Sequence, residues 1–178
     1  EGYDVIYTYP AGGALSAASE GYLDTLNNAD LVIVGRSGSS GDFDGADGPV
    51  WNALTSNVML LSPWMARSNR LDWVVSTSIP HVNETPDSVV AKVLLPNDAV
   101  FDGATLATDS TMTWVYAPHN VLEETSGGNG TVMAVDAANN NILFVRWDAW
   151  VDFYEGSTAR PSGYRSYIGN GNDNAAAN

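Results

Sequence analysis

Residues 147–154, Trp147-Asp148-Ala149-Trp150-Val151-Asp152-Phe153-Tyr154, interleave aromatic rings with carboxylates. In an extended chain, Asp148, Trp150, Asp152 and Tyr154 share one face, and Trp147, Ala149, Val151 and Phe153 share the other. Such a face suits a sugar, whose CH groups stack on rings while its hydroxyls donate to acids. The plainer alternative is that these rings fill the core or seal a sheet edge. That alternative is the stronger one for Trp51 and Trp114. Trp64 and Trp73 lie near other predicted strand ends and are placed to join the set.

A second constellation is the loop Gly41-Asp42-Phe43-Asp44-Gly45-Ala46-Asp47-Gly48. Calcium takes several carboxylate and carbonyl oxygens, so Asp42, Asp44 and Asp47 are candidate Ca²⁺ ligands. The spacing departs from an EF-hand, because Ala46 stands at an alternate position and no Glu closes the loop. An Asp/Gly turn with N-cap duty for the next helix explains the same residues. Glu123-Glu124 and Asp152 with Glu155 are acid pairs of the kind a glycosidase uses, but nothing sets their separation at the ~5–9 Å that chemistry needs. A solvated acidic face accounts for them. His81 and His119, each beside a proline, read as surface loop residues. Asn83-Glu84-Thr85 and Asn129-Gly130-Thr131 match the glycosylation sequon.

The composition narrows the classes. The chain of 178 residues is 44% hydrophobic, enough for one globular domain spanning 1–178. Seven basic residues against 21 acidic ones leave a net charge of −14. Such a surface repels nucleic acid and anionic membrane. No apolar run approaches the ~20 residues of a membrane span. The absence of cysteine excludes disulfides, zinc thiolates and a thiol nucleophile. Lys92 is the only lysine and Asp outnumbers Glu, a hydrated acidic surface that suits an extracellular or cell-surface protein in salt water.

The elements that must position these groups follow from periodicity. Residues 3–9 read as a strand stopped by Pro10. Ser16 is an N-cap candidate for a helix in which Leu15, Ala18, Tyr22, Leu23 and Leu26 share a face. Residues 31–34 and 58–61 are unbroken apolar runs, the mark of strands buried on both faces of a parallel sheet. Between them lie the Gly/Ser/Asp loop and a short helix around Trp51 and Leu54. This is βαβ alternation. Further on, 71–79, 88–95 and 111–116 read as strands. Residues 131–135 and 142–147 form a hairpin about a polar turn, and 165–169 make a last strand. The predicted class is α/β, with a mostly parallel sheet, flanking helices and a β-rich C-terminal half containing an antiparallel hairpin.

The segments ADLVIVGRSGSSGDFD, WNALTSNVMLLSPWMARSNRLDWV, AVFDG, TVMAVDAANNNILFVRWDA and YRSYIGNGND resemble the ThuA-like (trehalose-utilisation-like) branch of the class I glutamine amidotransferase-like fold. Such domains occur in large secreted proteins of marine bacteria, beside carbohydrate-active or lectin-like modules. The resemblance implies a flavodoxin-like sheet with sites at the carboxyl ends of the strands. It also implies a strand and helix before Glu1 and a closing helix after Asn178, unless this version starts at its own first strand. The family's chemistry uses a Cys on the turn after a central strand, where this chain has Ser62-Pro63-Trp64. Amidotransferase activity is therefore excluded. Ser62 lacks the G-x-S-x-G elbow, and Pro63 restricts the turn.

The expectation is a non-catalytic accessory module that binds polysaccharide or a neighbouring protein module. Arg36, Trp64, Asp148, Trp150, Asp152 and Tyr154 form its predicted rim, and Ca²⁺ is its one candidate cofactor. Two alternatives stand beside it: a self-associating surface protein completed by strand addition, and a hydrolase using Ser62 or an acid pair.

Overall fold

The computed structural model describes residues 2, 4–8, 14–36, 38–79, 81–82, 89–115, 119–169 and 171–172. In chain order these form α1 (Glu20–Asn27), β1 (Leu31–Val34), α2 (Asp47–Ala53), β2 (Asn57–Leu60), α3 (Pro63–Ala66) and β3 (His81–Val82). Then come β4 (Val89–Val93), β5 (Thr111–Val115), β6 (His119–Asn120), β7 (Thr131–Asp136), β8 (Ile142–Trp147), β9 (Arg165–Ile168) and β10 (Gly171–Asn172). Short 3₁₀ turns cover Leu15–Ala17, Ser40–Phe43 and Ala99–Phe101.

The class is mixed α/β and rich in strand. A seven-stranded sheet runs β1-β2-β9-β8-β7-β4-β5, and a small sheet runs β10-β6-β3. In the large sheet only the β1–β2 and β2–β9 junctions are parallel; β9–β8, β8–β7, β7–β4 and β4–β5 are antiparallel. The expected mostly parallel sheet is thus confined to one corner. Strands joined by tight turns, such as the β7–β8 hairpin, can only pair antiparallel, and the described residues of the second half hold no crossover helix.

The first helix starts later than the sequence suggests. Leu15–Ala17 is a 3₁₀ turn, and Ser19 rather than Ser16 caps α1, its hydroxyl accepting from the Tyr22 N–H at 3.3 Å. Asn28 closes the helix, donating its side-chain amide to the Asp24 carbonyl. The described part of the predicted first strand, residues 4–8, is neither helix nor strand. Residues 71–79 also escape the predicted strand. The backbone N–H groups of Leu71, Asp72, Trp73 and Val74 donate to the carbonyls of Met65, Arg67 and Ala66, folding the segment back onto α3.

Register assigns the faces. Val32, Val34, Val58, Leu60, Tyr167, Val145 and Trp147 point to one side, where they pack with Leu26 of α1, Trp51 of α2, and Leu54. Trp73, Trp147 and Phe153 form the aromatic centre of this core, with ring centroids 5.5–5.7 Å apart. A smaller core of Val93, Phe101, Met133, Ala134 and Phe144 covers part of the reverse side. Leu31 and Ile33 also point to the reverse side and are 44% and 58% exposed. β1 is therefore a sheet edge buried on one face, not the doubly covered strand its apolar run suggests.

Arg165 ties β9 to α2. Its guanidinium is buried and donates to five backbone carbonyls: Trp51, Asn52, Leu54, Ser56 and Tyr164, at 2.7–3.2 Å. Three of them belong to the end of α2 and the residue after it, where orphan carbonyls and the negative pole of the helix attract a cation. No helix of the described residues is long and apolar enough to cross a membrane.

Candidate functional site

The β8–β9 ladder builds the most suggestive surface. Trp147 and Arg165 pair in register and enter the core, so their neighbours Arg146 and Ser166, also paired, face the other way. One step further along the same antiparallel pair come Asp148 and Tyr164. β2 and β1 continue the surface with Asn57 and Leu31, which are register partners. Together Leu31, Asn57, Arg146, Asp148, Tyr164 and Ser166 line an open groove of about 470 Å³. Tyr164 is 58% exposed, an aromatic plane presented to solvent. The Arg146 guanidinium is anchored by Asp98 at 3.2 Å, which holds it beside the groove. An aromatic face, an amide, a hydroxyl, a carboxylate and a guanidinium on one sheet make a polar surface that can stack and exchange hydrogen bonds.

The groove lies at the amino ends of the parallel strands, opposite the carboxyl-end rim expected from the sequence. Of the six rim residues only Asp148 lines it. Arg36 and Trp64 follow the carboxyl ends of β1 and β2. Arg36 is exposed. Trp64 is half-buried, and the Arg67 guanidinium covers its ring at 5.3 Å.

Trp150, Asp152 and Tyr154 do not share an extended face with Asp148, because β8 ends at Trp147 and the chain then turns. Trp150 adopts a left-handed φ of 66° and is 65% exposed, its N–H donating to the Pro161 carbonyl. A bulky residue held in that conformation and turned outward is strain the surrounding structure has to maintain. Asp152 pairs with Arg160 at 2.7 Å; that bond holds the Asp152 carboxyl below its usual range and the Arg160 guanidinium above its own. The Tyr154 hydroxyl donates to Asp72, as does that of Ser157, and Asp72 itself sits at φ 60°. Burial first, then the Asp72 carboxylate, pushes the Tyr154 phenol up to about 12. Asp72 and Arg160 line a separate cleft of about 510 Å³ with Asn52, Ser68, Arg70 and Thr158. The eight-residue motif is thus dispersed: Asp148 lines the groove, Trp150 sits on a solvent-facing turn, Asp152 and Tyr154 bond to Arg160 and Asp72 of the second cleft, and Trp147 and Phe153 enter the core.

The acidic loop is dispersed in the same way. Asp47 opens α2, is buried, and accepts from the Ser16 N–H at 2.7 Å. Asp44 faces Arg70 at 3.7 Å. Asp42 lies in the 3₁₀ turn Ser40–Phe43. Among the described residues no three His or acidic side chains are placed to hold a metal ion. The N-cap of α2 is Ala46, which makes no side-chain cap. Ser62 is fully buried, and its hydroxyl meets no hydrogen-bond partner among the described residues. That gives a serine-hydrolase reading no support. His81 and His119 stand in the small sheet, on β3 and β6. The Asn129 side chain donates to the Asp152 carbonyl at 2.9 Å, and the Asn83 sequon lies outside the described residues.

Comparison with protein-family models, curated proteins and solved structures gave no match. Tyr164, Asn57, Arg146 and Ser166 are the groove residues that reading the sequence missed. Their one signal is the alternation Tyr164, Ser166, Ile168 against Arg165 and Tyr167, and an arginine at an inward position masks it.

Proposed function

We propose that this chain is a non-catalytic, extracellular accessory module that holds a carbohydrate in the groove at the amino ends of β1, β2 and β9. The observation that carries this reading is the exposed Tyr164 ring, set beside Asn57, Asp148 and Ser166 on the outward face of the sheet. Stacking on Tyr164 supplies affinity, and the polar groups orient the hydroxyls. A net charge of −14 selects against uronic and sulfated polymers, so the ligand class is a neutral polysaccharide. The strained, exposed Trp150 on the adjoining turn is a second platform. A flavodoxin-like, ThuA-like relationship is part of the same proposal. Its support is the parallel β1–α2–β2 unit, with α1 and α2 packed on one face.

Calorimetric titration with a panel of neutral and acidic polysaccharides tests the reading. Binding to a neutral member, weakened about tenfold in Tyr164→Ala (about 1.4 kcal/mol) and also weakened in Asp148→Ala, is the expected result. Absence of binding across the panel, or wild-type affinity in Tyr164→Ala, refutes it.

A further inference from the structure

The large sheet has an open edge. Among the described residues β1 pairs with β2 on one side only, and its outward residues Leu31 and Ile33 are exposed. Such an edge presents unpaired backbone donors and acceptors, which native sheets cover, twist away or charge. Residues 31–34 carry no charge and no proline. Earlier in the same chain, residues 4–8 are neither helix nor strand, and Val5, Ile6 and Tyr7 are 61%, 69% and 94% exposed. Their types are among the most β-prone.

Topology decides where the two segments meet. α1 lies between residues 4–8 and β1, and α2 lies between β1 and β2. Leu26 of α1 and Trp51 of α2 join the same core under Val34, Val58 and Leu60, so both helices cover one face. Crossovers between parallel strands are right-handed. Two successive crossovers over one face therefore advance the sheet in one direction. Because β2 takes one side of β1, residues 4–8 arrive at the other side, the free edge. Tyr22 and Leu23 of α1, the helix bridging the two segments, are only half-buried. With side chains alternating, Ile6 goes to one face and Val5 and Tyr7 to the other. Apolar side chains stand ready on both: Tyr22 and Leu23 on the helix side, Leu31 and Ile33 on the outer side.

We propose that residues 4–8 add to the free edge of β1 as a parallel strand of the same chain. The tether, residues 9–30, exceeds the dozen or so residues a parallel crossover needs. It sets an effective concentration on the order of millimolar. A second copy bearing −14 charges is repelled instead.

Hydrogen–deuterium exchange of the whole chain, with light scattering on the same samples, tests this. In the monomer, those amides of residues 5–7 that face β1, alternate ones along an edge strand, exchange about tenfold or more slowly than in an unstructured peptide. Ile6→Pro, which removes a donor and fixes φ, returns residues 4–8 to the unstructured rate and speeds exchange in β1, while Ile6→Val keeps the protection. Unchanged slow exchange in β8 and β9 shows that the proline variant is still folded. Unstructured rates at residues 5–7 in the wild-type chain, or protection found only in a dimer, overturn the proposal.

Discussion

Buried arginines ordinarily face carboxylates, whereas the guanidinium of Arg165 is met by backbone carbonyls at the end of α2 and around it. Burial lowers its pKa to about 10, so it is still a cation at neutral pH. Truncation strands those carbonyls in a dry interior. Arg165→Met is expected to cost about 3–5 kcal/mol, read as a lower urea midpoint. Arg165→Lys keeps the charge with fewer donors and falls between. Two phenols, one half-buried and one fully buried, set a different limit. Tyr154 is raised to about 12, by burial and then by Asp72, and burial raises Tyr167 as well. A phenol whose folded pKa exceeds its unfolded value of 10 contributes stability that is complete below pH 10. Above pH 10 the unfolded chain ionises first, and the contribution drains away up through about pH 12. The urea midpoint should therefore fall as pH rises from 10 to about 12, less steeply in Tyr154→Phe.

At the scale of elements, β1 and β2 look alike in sequence and differ in burial. Leu60 is fully buried on the helix-covered face, whereas Ile33 on the neighbouring strand turns to solvent. Leu60→Ala should cost about 2–5 kcal/mol, and Ile33→Ser less than about 1 kcal/mol, both measured by denaturant titration. A strand covered on both faces would make the two losses comparable, so the contrast tests the one-sided sheet directly. The same asymmetry leaves the outward face of β1, β2, β8 and β9 open, and the groove lies there.

For the whole molecule, 21 acidic residues against seven basic ones dominate long-range electrostatics. The pairs Arg70–Asp44, Arg146–Asp98 and Arg160–Asp152 are partly exposed, and solvent screening leaves such pairs little net stabilisation. Self-repulsion outweighs them. Raising NaCl shortens the screening length from about 30 Å at 0.01 M to about 3 Å at 1 M, and Tm should rise with it. A Tm that falls with salt would mean that the ion pairs, not the repulsion, control stability.

Much of the strand content was legible in the residues alone. The β7–β8 hairpin, β9, and the strand character of β1 and β2 follow from local apolar pattern and turn chemistry, and the lack of cysteine settles the thiol question. Periodicity records which side chains are apolar but not what will cover them. For that reason the sheet came out mostly antiparallel and β1 half-exposed. Residues 71–79 carry strand-like types, yet the N–H groups of residues 71–74 are taken by α3 and the residue after it. Residues 147–154 alternate like a strand, yet the chain turns where Trp150 finds the Pro161 carbonyl. The groove joins Leu31 and Asn57 to Tyr164 and Ser166, positions more than a hundred residues apart. Only strand pairing could bring them together, because a contact at that separation leaves no trace in local spacing.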